Sequence, residues 1–289
     1  MNVYLPFRFA LICILLTAPA GAQQDVPYVQ TDWAVVDSML ALANPQKGEK
    51  LYDLGCGDGR IVVRAARVYG VRGVGIDSNP IRIRESWENA KKEGVAGHVE
   101  FYVKDLFAYD FSDADIVTMY LLQWVNLKLR PTLFRDLKPG TRIVSHAWSM
   151  GEWMPDRQIQ VERADERGKS YVHFWVIPAN VSGEWTWSLQ DGSVKRNYTL
   201  KVTQEFQNVY GALTADGTTK KIEDMQISGG EFRFSMQDGG VTTEYRGTAD
   251  ENTIRGSVSV SGNTLKWQAR RNPKTMFPLD REGPLKVTY

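Results

Sequence analysis

Strand and helix alternate through the first half of this chain, and the alternation turns on one short stretch, "LYDLGCGDGR" at residues 51–60. Gly55, Gly57 and Gly59 follow a short apolar strand pattern. They lead into "GRIVVRAARVYG" (59–70), whose apolar residues recur every three or four positions, as on a helix. "VRGVGID" (71–77) reads as a second strand. "NPIRIRESWENAKKEG" (79–94) opens on Asn-Pro, a helix start, and stops at glycine. "VEFYVKD" (99–105) and "ADIVTMYLL" (114–122) predict strands three and four. "LKLRPTLFRDLKPG" (127–140) predicts a helix interrupted by Pro131, and "TRIVSHAW" (141–148) strand five. Such alternation implies right-handed crossovers and a parallel sheet covered by helices on both faces, an α/β fold. "RQIQVERADERGKSYVHFWVIP" (157–178) breaks the rhythm and reads as two strands around a polar turn at 165–168.

From Gly183 the pattern changes to short alternating runs separated by Asp-Gly, Gly-Gly, Glu-Asn and Gly-Asn turns. About eight antiparallel strands and no helix predict a second, smaller all-β domain over 183–271, an up-and-down barrel or a sandwich. A tail, 272–289, follows. The boundary between the halves falls at 178–182. Trp185, Trp187 and Trp267 are expected to fill a small core rather than line a cavity.

A chain of 289 residues is long enough for two such domains. Its formal charge is +1, with no long basic run, so nothing favours a nucleic-acid backbone as partner. The N-terminus, "MNVYLPFRFALICILLTAPAGAQQ", places Arg8 before an apolar core and ends it on Ala20, Gly21 and Ala22. That order predicts a secretory signal peptide over 1–22 and export to a periplasmic or secreted location, an uncleaved anchor being the alternative. No transmembrane span is expected beyond that segment. The mature chain retains only Cys56, and His98, His146 and His173 are scattered without paired ligand spacing, so no metal site is expected.

Glycines let the backbone approach a ligand closely and enter a helix whose first N–H groups face it. A phosphate loop needs Gly-Lys-Ser/Thr, which Asp58-Gly59-Arg60 does not supply. In the dinucleotide fingerprint the third glycine would stand at Arg60, and here it comes one residue early. Asp77, at the end of strand two, meets that fingerprint's need for an acid and alone separates nothing; a carboxylate there can accept from both ribose hydroxyls. Asp53 precedes the turn, and Asp105 closes strand three within reach of an adenine amino group. With "DLGCGDG" and "GVGID" together, the chain resembles the class I S-adenosylmethionine-dependent methyltransferases over about 27–178.

The resemblance implies a Rossmann-like sheet of seven strands, the last two an antiparallel hairpin. It implies that Asp53, Gly55, Cys56, Gly57, Gly59, Asp77 and Asp105 hold S-adenosylmethionine. This ligand carries no phosphate, in keeping with the missing lysine. Cys56 reads as a small turn residue, no base standing beside it, and Asp58 as a helix N-terminal charge that also stands near the ligand.

Upstream "VPYVQTDWAVVDSMLALA" (26–43) and downstream "YLLQWVNLKLRPTLFRDLKPGTRIVSHAW" with Trp153 look like the small lysine methyltransferases related to the ATP synthase c-subunit enzymes. The resemblance implies that Tyr28, Val29 and Thr31 cover the cofactor and line the lysine's path, though Gln30 and Asp32 stand where prolines are usual. It points to a protein lysine as acceptor. Holding a lysine neutral at pH 7 costs roughly 4.6 kcal/mol, a cost that an apolar aromatic channel lowers. Tyr120 and Trp124 are the candidate wall, with His146 and Trp148 behind them. A small-molecule acceptor is one alternative. An exported, non-catalytic module that binds the donor or a nucleoside is the other, since the donor is made in the cytosol.

Overall fold

A computed structural model describes residues 28–163, 168–191, 193–238, 240–260 and 263–280. The predicted signal segment, residue 27, most of the turn at 165–168 and the tail beyond 280 lie outside the described residues.

The first half is a seven-stranded sheet. Its strands are β1 (Lys50–Leu54), β2 (Arg72–Asp77), β3 (Val99–Val103), β4 (Ile116–Met119), β5 (Arg142–His146), β6 (Arg157–Glu162) and β7 (Lys169–Val176). The spatial order is β3-β2-β1-β4-β5-β7-β6, all parallel except β7, which runs antiparallel to both neighbours. β1, β2, β4 and β5 are buried almost throughout, as expected of parallel strands covered on both faces.

Four helices cover the sheet: α1 (Trp33–Ala43), α2 (Arg60–Tyr69), α3 (Pro80–Lys92) and α4 (Gln123–Asp136). Asp32 caps α1 by accepting from the Ala34 N–H, and Asn79 caps α3 by accepting from Ile81 with Pro80 in the first turn. α2 ends at Gly70 in the left-handed region.

Three local expectations are corrected. Strand four is shorter than 114–122, so Tyr120 lies just beyond it. Strand three ends at Val103, so Asp105 stands in the following turn. The fourth helix begins at Gln123 instead of 127 and stops at Asp136, because Lys138 precedes Pro139 and is biased out of helical conformation. Its early start is supported by Asn126, buried and donating to Ser145 Oγ (3.2 Å) and the Trp148 carbonyl (3.1 Å).

The second half is one nine-stranded antiparallel sheet. Its strands are β8 (Gly183–Asp191), β9 (Val194–Glu205), β10 (Asn208–Ala215), β11 (Thr218–Ile222), β12 (Asp224–Ser228), β13 (Glu231–Asp238), β14 (Val241–Asp250), β15 (Thr253–Val260) and β16 (Asn263–Arg271). The run "KKIEDMQIS" (220–228), which holds none of the glycine turns expected between strands, is divided at Glu223 into β11 and β12. These two are the edges of the sheet, and one residue joins them, so the sheet must curl into a nearly closed barrel. Trp185, Trp187 and Trp267 are all buried, and Phe234 stacks on Tyr245 with ring centroids 4.5 Å apart, so side chains fill the interior.

The two halves meet away from the glycine turn. Gly229, between β12 and β13, packs against Gly140, which precedes β5 at the N-terminal edge of the parallel strands. Phe206 stacks near Phe134 and Trp153, and Arg130 on α4 makes a bidentate pair with Asp280 at 2.9 and 2.8 Å.

Gly256 and Gly247 face each other across β15 and β14. A Cβ on Gly256 would lie 1.9 Å from the Arg246 carbonyl oxygen and 2.5 Å from Gly247 Cα, and backbone cannot step aside as a side chain can. Gly256→Ala is therefore expected to destabilise the barrel by roughly 1–3 kcal/mol, read as a lowered thermal midpoint of the full chain. An unchanged midpoint would show that the strands separate freely there.

Candidate active site

The glycine turn lies across the end of β2. Gly55 and Cys56 both donate to the Ile76 carbonyl, at 2.8 and 2.9 Å. Gly55, Gly57 and Gly59 have φ of 78°, 54° and 72°, a region that favours glycine. Space makes the same demand. A Cβ on Gly55 would meet Leu121 at 2.7 Å, and one on Gly57 would meet the Tyr28 ring at 2.4 Å. α3 holds the turn from behind: Ser86 Oγ donates to the Gly57 carbonyl and Asn89 Nδ2 to the Asp58 carbonyl, each at 2.9 Å.

Asp77 reaches this turn. Its Oδ2 accepts from the Gly57 N–H at 3.0 Å and its Oδ1 from the Asn79 N–H at 2.8 Å. The carboxylate and the turn thus form one unit. The Lys104 N–H donates to the Asp77 carbonyl at 3.0 Å, which brings the chain leading to Asp105 to the same end of the sheet. The Asp105 carboxylate is exposed and caps its own turn by accepting from Phe107 at 2.9 Å.

Asp53 and Cys56 are placed differently, both inside the protein. Asp53 is buried and accepts from Thr118 Oγ1 at 2.8 Å. Burial pushes its carboxyl up to about 7; the Thr118 bond opposes that rise, and the negative charges of Asp77 and Asp58 add to it. The Cys56 thiol sits under the turn, 4.0 Å from Ser86 Oγ, and burial raises it far above the range of a reactive thiolate. Among the described residues no cluster of His, Cys, Asp or Glu could hold a metal ion.

Residues 28–31 are strapped over the turn. Arg60 pairs with Asp58 at 2.6 Å and donates through Nη1 to the Thr31 carbonyl at 2.7 Å. Tyr28 lies on Gly57, and the Arg82 guanidinium stacks over its ring at 4.3 Å. Val29 is exposed, while Thr31 is buried. The Arg60 clamp has a trace in the sequence, since this residue stands where a dinucleotide fold requires glycine.

Thr31 continues the strap into a second cluster. Its Oγ1 lies 3.3 Å from His146 Nδ1, and His146 Nε2 lies 2.6 Å from Ser170 Oγ on β7. Tyr120 packs on the fully buried His146 ring with centroids 3.8 Å apart. Tyr120, His146 and Thr31 are therefore together. Trp124 is not among them: it projects from the first turn of α4, 48% exposed. Trp148 is 40% exposed, following Ala147 with φ of 65°. Ser170 has no signal in the sequence, because its contact depends on the antiparallel register of β5 and β7.

The sequence has counterparts among known proteins. The family described as the ANTKMT methyltransferase domain matches residues 53–157. A protein-lysine N-methyltransferase of Saccharolobus islandicus is 43% identical over 149 residues, covering 51% of this chain and 92% of that protein. The chain belongs to this methyltransferase family. The human lysine N-methyltransferase of the ATP synthase c-subunit is 31% identical over 138 residues, which are 48% of this chain and 58% of the human protein. A solved structure described as an RNA methyltransferase from Salinibacter ruber, in complex with S-adenosyl-L-homocysteine, is 50% identical with a TM-score of 0.49. It covers 53% of this chain and 96% of that one. The residues of the site fit S-adenosylmethionine, the cofactor expected from the sequence. The turn keeps three positions free of Cβ atoms, offers no phosphate-binding lysine, and joins its backbone to the Asp77 carboxylate.

The buried Asp53 predicts a pH dependence of stability. Its ordinary value is near 3.9 and its folded value about 7, so the folded state binds the extra proton between these limits. The stability it contributes is full below the lower limit and lost as pH rises through the upper one. The thermal midpoint should fall from acidic to neutral pH, and Asp53→Asn should flatten that fall. An identical pH profile in the variant would remove Asp53 as its source.

Proposed function

We propose that this methyltransferase modifies a lysine amine of a protein outside the cytosol. When bound, S-adenosylmethionine supplies an electrophilic methyl group on a sulfonium. The chain's own task is to position the acceptor and keep water away. Asp77 and the glycine turn would hold the donor, with Asp53 behind them and Asp105 at the same end of the sheet. Tyr28, Val29 and Thr31 would cover it.

The observation that carries the lysine reading is the pair of Tyr120 and His146, to which Thr31 of the covering segment is joined. An ammonium gains little there, because the ring of Tyr120 is backed by a buried His146 whose two nitrogens lie against hydroxyls. Such a wall lowers the cost of a neutral amine, and the ammonium leaves its proton to water at the mouth. The names of the archaeal and human relatives support a lysine acceptor. No helix among the described residues is long and apolar enough to cross a membrane. Export rests on the signal-like residues 1–22.

The test is mass spectrometry of cell-envelope proteins incubated with the full chain and a heavy-methyl donor. Heavy methyl on lysine is expected, and His146→Ala should lower turnover roughly a hundredfold while donor affinity stays within about twofold. Methyl found on RNA or on small molecules, or donor bound with no methyl passed on, would overturn the lysine assignment.

A further inference from the structure

Buried and exposed residues alternate along β14 from Thr243 and along β16 from Leu265, as on a sheet with one face in the core. The outward residues of β13 to β16, with Ser188 of β8, line a groove of about 780 Å³ on the outside of the barrel. That volume is in the range of small-ligand sites. Two rows of side chains cross it. In one, Ser257 is the register partner of both Arg246 and Lys266, so a short side chain lies between two long ones. In the other, Arg255 stands between Thr248 and Gln268, and Thr248 pairs in turn with Glu231.

The groove carries both signs of charge. Arg246 pairs with Glu244 at 2.7 Å, but among the described residues no carboxylate lies within ion-pair distance of Arg255 or Lys266. Those two cations stand on a diagonal between neighbouring strands, their backbones roughly 7–8 Å apart. Glu231 accepts from Thr248 Oγ1 at 3.0 Å through Oε1, and no donor among the described residues reaches its other oxygen. The lining therefore offers two separated cations, an open carboxylate oxygen, the Ser257 hydroxyl and the Gln268 amide.

This set of groups selects among anionic ligands. A phosphate gathers cations around one point, whereas separated single charges suit carboxylates spaced along a chain. Glu231 repels a ligand that is anionic throughout, yet it accepts from a hydroxyl. β13 to β16 are paired with one another in register, so a polypeptide lying here finds no free strand edge. Trp267 is only 4% exposed, and its Nε1 already donates to the Arg246 carbonyl at 3.0 Å, so bases have no ring to stack on.

We propose that this groove binds an acidic oligosaccharide, with sugar carboxylates on Arg255 and Lys266 and sugar hydroxyls on Glu231, Ser257 and Gln268. Of the ligands compared, only a sugar chain of this kind sets hydroxyl donors between single negative charges, and the lining holds partners for both. The site shares no residue with the donor turn and does not depend on the acceptor being lysine.

The test is isothermal titration of the full chain with tetragalacturonate, which has one carboxylate per sugar, and with its methyl ester, which keeps the hydroxyls and loses the charges. Saturable binding of the acid is expected, weaker by roughly tenfold for the ester and for Lys266→Gln with Arg255→Gln at an unchanged melting midpoint. Glu231→Ala separates the proposal from charge attraction alone. Several-fold weaker binding supports a hydroxyl partner there, and unchanged or tighter binding refutes it. No binding of the acid overturns the proposal, as does equal binding of the ester, of tetraglutamate or of a DNA tetranucleotide. If the double variant fails to fold, Lys266→Gln alone takes its place; several-fold weaker binding supports the site and unchanged binding refutes it.

Discussion

The hydrogen bond from the Gly57 N–H to Asp77 couples two features that lie 20 residues apart in the chain and fixes where everything else in the site must be. Because Ile76 also accepts from Gly55 and Cys56, the turn is stitched to the end of β2 by three backbone donors. A turn held this way cannot drift relative to the carboxylate. The left-handed angles at its glycines are the conformational cost of that fit, and no residue with a Cβ meets both the angle and the space.

From this anchor the rest of the site is built outward by polar contacts. Asp58 leaves the turn and fixes Arg60; Arg60 holds the Thr31 carbonyl; Thr31 meets His146; and His146 carries Tyr120 and Ser170. A cover and an aromatic wall are thereby positioned by the same chain of contacts that begins at the donor turn. The barrel plays no part in that chain. Its contacts reach Gly140, Phe134, Arg130 and Trp153, on the edge of the sheet opposite the turn and along α4. It is a second module with surfaces of its own.

The seven-stranded α/β half and its glycine turn were legible because parallel strands buried on both faces leave apolar runs, and glycines mark the one place where backbone must bend left-handed. Asp77 was legible for the same reason, standing at the end of such a run. Asp105 was misplaced on its strand because β3 stops where register pairing with β2 stops, at the Asp77–Val103 pair, and that limit belongs to the sheet. Trp124 was grouped with Tyr120 because the start of α4 is set by the burial of Asn126, a tertiary contact with no local signature. Ser170 and the division of β11 from β12 depend likewise on register and closure, which no run of residues encodes alone.

The central claim is that the Asp77 carboxylate and the glycine turn hold the methyl donor together. Isothermal titration of S-adenosylmethionine into the full chain and into Asp77→Ala tests it most directly. Saturable binding by the unaltered chain is predicted, weakened more than about tenfold in the variant, the loss of at least one hydrogen bond to a charged group. Equal affinity in the two proteins, or no heat from the unaltered one, would contradict the account.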